Sequence, residues 1–198
     1  SYYNTFVYGQ DTDLPASLET LFRAELGDGG NREQGHTDYY TAISRIRVYL
    51  EKNMTYSTAT DVYTEKGDFT ENFLSRSKIG HSVHSATAAA LMFRYYGIPA
   101  RYVEGYLVTP QDAEAMTAGE PYTLDDTHAH AWVEYYQDGV GWLPFETTPS
   151  YLDIMNQADE YQDISGLSGG GSQDQDQQDE EQDQQEEQEE EPDDPIDW

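Results

Sequence analysis

Between Ser82 and Tyr96 the sequence places Val83, Ala86, Ala88, Ala89, Ala90, Leu91, Met92 and Phe93. Wound into a helix, these positions cover nearly its whole circumference, and a helix that is apolar all round has to be buried. Ser82 is a residue type favoured at helix starts, while Gly97 and Pro99 stop what precedes them. The alanines allow a sheet to approach closely. This helix is therefore expected at the centre of the fold, with the other elements arranged around it.

Upstream, helical spacing runs from Pro15 to Glu25 and from Thr37 to Asn53, where Tyr40, Ile43, Ile46, Val48 and Leu50 form an imperfect apolar stripe. A short helix is expected from Asp68 to Ser75. Downstream the pattern turns to strands, over Ala100 to Val108, His128 to Tyr136 and Val140 to Thr147. Helices first and strands after read as an α+β domain.

Charge divides the chain. Of its 198 residues, 39 are acidic and 10 are Lys or Arg, giving a net charge of −29, and every Lys and Arg lies at or before Arg101. From Gln173 to Glu191 every residue is Gln, Asp or Glu, behind a run containing Gly169, Gly170 and Gly171. Such a stretch buries nothing and cannot offset its ordering entropy, so residues 162–198 read as a disordered acidic linker after a domain spanning 1–161. The same charge repels phosphate backbones, which argues against nucleic acid and anionic membrane surfaces as partners.

The chain has no cysteine, so disulfides, cysteinyl zinc sites and thiol nucleophiles are excluded for it. No apolar run approaches the length of a membrane span. A start at Ser1-Tyr2-Tyr3, with neither initiator Met nor signal peptide, reads as a soluble piece of something longer.

In the segment from His128 to Glu134 the strand period sends His128, His130, Trp132 and Glu134 to one face and Ala129, Ala131 and Val133 to the other, the packed one. A three-residue loop, Gln137-Asp138-Gly139, would pair Tyr136 with Val140 and set His130 directly opposite Glu146. Register decides this, because a two-residue loop would put Ala131 there instead. A carboxylate facing an imidazole orients the ring and stabilises positive charge on it. Ser82, at the mouth of the buried helix, stands where unpaired N–H groups and the helix dipole favour negative charge.

Four blocks in order carry a resemblance: Gly80-His81-Ser82-Val83-His84-Ser85-Ala86, then Arg94 to Tyr106, then His130-Ala131-Trp132-Val133-Glu134, then Gly141 to Pro149. Together they resemble the transglutaminase-like family of papain-type thiol enzymes over roughly Asp68 to Tyr151. The resemblance implies a papain-like core and acyl transfer at a glutamine side chain or peptide carbonyl, on a protein or peptide substrate, without a cofactor. It sets Ser82 in the place of the nucleophilic Cys, His130 as general acid/base and Glu146 where the family usually has Asp. His81, His84, Tyr106, His128 and Trp132 become candidate cleft-lining residues.

Serine in that place implies an inactive or impaired enzyme, whether the change is natural or engineered. Two other readings stand beside it: a non-catalytic binding or scaffold domain of a membrane-anchored extracellular protein, and a serine hydrolase working through Ser82, His130 and Glu146. Ser82 as a plain helix cap is the preferred reading of that residue taken alone. A metal site among His81, His84, His128 and His130 is conceivable, but no metal is assigned. Trp142 reads as packing, and Arg94 and Arg101 as partners of structural acids. An exported, cell-surface bacterial protein is the expected setting.

Overall fold

The computed structural model describes residues 2–29, 35–59 and 67–152; the acidic linker expected at 162–198 lies outside them. Helix α1 (Tyr2–Gln10) leads into α2 (Ala16–Leu26) and α3 (Tyr39–Asn53). Asp38 caps α3 by accepting the Thr41 N–H at 2.9 Å, which starts that helix two residues after Thr37. Its apolar stripe also differs from expectation. Ala42, Ile46, Tyr49 and Leu50 are buried, whereas Tyr40 and Val48 face solvent, because the stripe that reaches the core follows the helical period rather than the run of large side chains.

Next come a two-residue strand β1 (Thr55–Tyr56), a short α4 (Phe69–Asn72) running into a wider π turn at Phe73–Ser77, and β2 (Ile79–Gly80), which pairs in parallel with β1. Helix α5 (Ser82–Tyr95) follows, buried along most of its length as its composition requires. Ala86, Ala88, Ala89, Met92 and Phe93 are sealed from solvent, and the helix packs on the sheet that comes after it.

That sheet is antiparallel in the order β3 (Ala100–Tyr106), β4 (Ala129–Gln137), β5 (Gly141–Phe145). Between β3 and β4 the chain makes an excursion through α6 (Pro110–Ala115) and a tight turn at Asp126–His128. On β4, Ala131, Val133 and Tyr135 face α5: Phe93 stacks on Tyr135 with ring centroids 5.1 Å apart and meets Phe145 edge-on at 5.1 Å. Aromatic contacts of this kind add to simple area burial. Arg101 pairs with an acid as expected, its Nε donating to Glu134 at 2.8 Å, whereas Arg94 mainly holds backbone, its Nε donating to the Ala100 carbonyl at 2.9 Å with Asp11 3.9 Å away. Trp142 is a packing residue, edge-on to Tyr136 at 5.4 Å with Arg101 over its ring at 4.2 Å.

The β4–β5 hairpin corrects the expected register. Gln137 pairs with Gly141 and Tyr136 with Trp142, so the loop is Asp138-Gly139-Val140 rather than Gln137-Asp138-Gly139. The Val140 N–H closes the turn on the Gln137 carbonyl at 3.0 Å, with Gly139 and Gly141 both at positive φ, 77° and 118°. Moving the loop by one residue moves the pairing by two, which keeps every side chain on its expected face.

Candidate active site

Ser82 is the first helical residue of α5 and not its cap. His81 takes the cap position, since the His84 and Ser85 N–H groups both donate to its carbonyl, at 3.0 and 3.2 Å, and its own N–H donates to His84 Nδ1 at 3.3 Å. The simple capping role read from the sequence thus belongs to the neighbouring residue, leaving the Ser82 hydroxyl without that duty. Among the described residues no hydrogen bond is formed by Ser82 Oγ, although Ser82 is only 8% exposed. The N–H groups of a helix's first turn lack intrahelical acceptors, so the peptide groups at Ser82 and Val83 supply donors for developing negative charge.

His130 projects from the start of β4 and Glu146 follows the last residue of β5. His130 Nε2 lies 2.7 Å from Glu146 Oε2, and the two side chains are 1% and 5% exposed. The pair forms as expected, but along a diagonal. The ladder ends at Val133–Phe145, and in its register Glu146 falls opposite Trp132, one step along the same face from His130. Glu146 Oε1 accepts the N–H groups of Thr147 and Thr148 at 2.8 and 2.7 Å, which turns the chain out of the strand and fixes the carboxylate. With Nε2–H given to Glu146, Nδ1 is the nitrogen left with a lone pair for chemistry.

Ser82 and His130 line one cleft of about 470 Å³, together with His81, Val83, Glu104, Gly105, Tyr106, Ala129 and Ala131. A second, apolar hollow of about 230 Å³ lies against the same imidazole, lined by Tyr106, Leu107, Trp132, Pro144 and Glu146. His81, Tyr106 and Trp132 therefore do border the site. Two expected residues do not. His84 is packed between Phe69 and Phe73, at 5.0 and 5.2 Å between centroids, and burial lowers its pKa, helped by the neighbouring His81. His128 lies before β4, where its Nε2 meets Asp112 at 3.1 Å and its Nδ1 meets Asp125 at 2.9 Å. The strand period that grouped it with His130 does not hold there because the turn at Asp126–His128 breaks the pleat.

Tyr151 escaped the sequence reading as a site residue. Tyr151 covers the imidazole, its ring centroid 4.2 Å from that of His130. It lies in a helical turn at 149–152 that Pro149 opens, its N–H bonded to the Thr148 carbonyl at 3.0 Å, outside the strand pattern that locates His130. Gly105, opposite His130 in the β3–β4 ladder, leaves room for Trp132: a Cβ there would lie 2.7 Å from the indole.

A buried helix against an antiparallel sheet, with imidazole and carboxylate brought together from adjacent strands, is the papain-like class of architecture. Within that class the chain belongs to the transglutaminase-like superfamily, whose sequence model matches residues 30–147. YebA, an uncharacterized protein of Bacillus subtilis (strain 168), is 30% identical over 122 residues, which is 61% of this chain and 17% of that protein. A protein-glutamine gamma-glutamyltransferase of Pseudomonas aeruginosa is 41% identical over 81 residues, 41% of this chain and 12% of that enzyme. The solved periplasmic domain of TgpA from P. aeruginosa, bound to ethylmercury, superposes with a TM-score of 0.52 at 23% identity, over 72% of this chain and 49% of that one. That likeness is one of fold. The chain spans only a small part of the curated relatives it matches and about half of the TgpA domain. Among the described residues no helix is long and apolar enough to cross a membrane.

Proposed function

We propose that this domain is an acyl-transfer fold for glutamine side-chain or peptide carboxamides whose turnover is blocked or slowed because Ser82 occupies the nucleophile position. The observation that carries the reading is the sealed His130–Glu146 pair bordering the cleft that Ser82 enters at the head of α5. The gamma-glutamyltransferase among the relatives supports the reaction class. In such a reaction Ser82 Oγ would attack the carboxamide carbon as His130 takes its proton, ammonia or an amine would leave with a proton returned by His130, and an amine or water would then take the acyl group from the ester.

The difficulty lies in the first step. A thiol with a pKa of ~8.5 can form a thiolate–imidazolium pair before substrate arrives. A hydroxyl is far too weak an acid for that, so His130 must deprotonate it during attack, as in serine hydrolases. An extracytoplasmic location belongs to the same proposal, supported by the periplasmic placing of the TgpA domain.

The test is Ser82→Cys. Iodoacetamide reactivity above that of free cysteine, with incorporation of an amine into a glutamine substrate, is the expected result. A sluggish thiol and products identical to the blank would leave a scaffold domain. Labelling of the unaltered chain at Ser82 by a fluorophosphonate would instead establish a working serine hydrolase.

A further inference from the structure

The cleft carries one fixed charge that the proposed reaction does not use. Glu104 pairs with Ala131 across the β3–β4 ladder, and Tyr102 pairs with Val133, so both point to the side of the sheet that α5 covers. Inward positions of a sheet are normally apolar. Here the strand reaches past the packed core to the cleft, so Glu104 is exposed to solvent there and borders the same space as Ser82. The Tyr102 hydroxyl steadies this exposed side chain by donating to Glu104 Oε1 at 2.5 Å. Burial first, and then the carboxylate beside it, push the Tyr102 phenol far above its ordinary range, so it stays a donor.

Glu104 Oε2 has no protein partner among the described residues, and no Lys or Arg lines the cleft. Arg101, three residues away, is held by Glu134 and by the face of Trp142. An oriented carboxylate with an open oxygen and no internal counter-ion is suited to a cation brought by a ligand. That cation is not the reacting amine, because a carboxylate at close range would keep an ammonium protonated and non-nucleophilic.

We propose that Glu104 makes this cleft selective for basic polypeptides, receiving a Lys or Arg side chain of the ligand beside the group that occupies the reaction centre. The assignment rests on the cleft being the substrate site, and makes Glu104 a specificity-determining residue positioned by Tyr102.

Binding to the full chain with Ser82 unchanged tests it without requiring turnover. Fluorescence anisotropy would compare a labelled glutamine peptide carrying Arg next to Gln, the same peptide with citrulline, and one with trimethyl-lysine, which is cationic but cannot act as an acyl acceptor. For an exposed ion pair, the Arg and trimethyl-lysine peptides are expected to bind about fivefold more tightly than the citrulline peptide. Glu104→Gln should abolish that gap at unchanged thermal midpoint, and Tyr102→Phe should narrow it. Equal affinities, no binding of any peptide, or a gap that survives Glu104→Gln and so reflects only the net charge of −29, would overturn the assignment. Failure of Ser82→Cys to transfer acyl groups would remove the reaction while leaving peptide discrimination standing. Transfer without discrimination would remove Glu104 alone.

Discussion

A methyl group on Gly105 would sit 2.7 Å from the indole of Trp132, which itself stacks beside the His130 ring at 6.2 Å. Gly105→Ala must therefore push Trp132 off its place against the imidazole. The expected cost is about 1–3 kcal/mol of overpacking, read as a lowered urea midpoint with unchanged slope. Wild-type stability in this variant would mean that the indole moves freely.

Glu146 holds two backbone N–H groups as well as the imidazole. Glu146→Ala leaves all three without a partner in a buried place and is expected to lose about 3 kcal/mol. Glu146→Gln keeps an oxygen for Thr147 and Thr148 and should lose only about 1 kcal/mol. Matched urea titrations separate the two, and equal losses would show that charge rather than acceptor geometry governs the site.

Tyr151 roofs the imidazole from a segment outside the sheet. Tyr151→Ala should admit water to His130 and speed deuterium exchange at its ring carbon, followed by mass spectrometry of the peptide containing residue 130. An unchanged rate would mean that Trp132 and the surrounding backbone already set its solvent access.

The excursion between β3 and β4 is fastened by His128, which Asp112 and then Asp125 raise above the ordinary imidazole range. Thr109 lowers Asp112 and Thr127 lowers Asp125, each with help from His128. The histidine's contribution is full below about pH 6.5 and fades as pH climbs through its raised value, whereas the carboxylates' contributions are full above about pH 3.9 and fade on acidification. The fastening should thus be firmest between about pH 4 and 6.5. Hydrogen exchange over residues 109–128, corrected for intrinsic rates, should show more protection at pH 5.5 than at 8.5, and His128→Gln should flatten the difference.

Much of this was legible from local pattern. The apolar circumference of α5 predicted its burial, and the alternation around His130 assigned the faces of β4 correctly. Legibility failed where a side chain outside the period decided the outcome. His81 displaced Ser82 from the cap through two backbone bonds to its carbonyl. His128 left the strand because acids sixteen and three residues earlier hold both ring nitrogens. The diagonal meeting of His130 and Glu146 survived a mistaken loop only because an even shift of register preserves the pleat. The expected domain end at 161 and the linker beyond it fall outside the described residues.

The alanine methyls that key α5 against its sheet have a further result. Ala86, Ala88 and Ala89 are sealed so closely that larger side chains would wedge helix and sheet apart. The rod that carries residue 82 is thereby locked in pitch and azimuth by contacts that do not involve its tip. A substitution at that tip therefore leaves the surrounding frame as it was, so Ser82→Cys tests the side chain and not the scaffold.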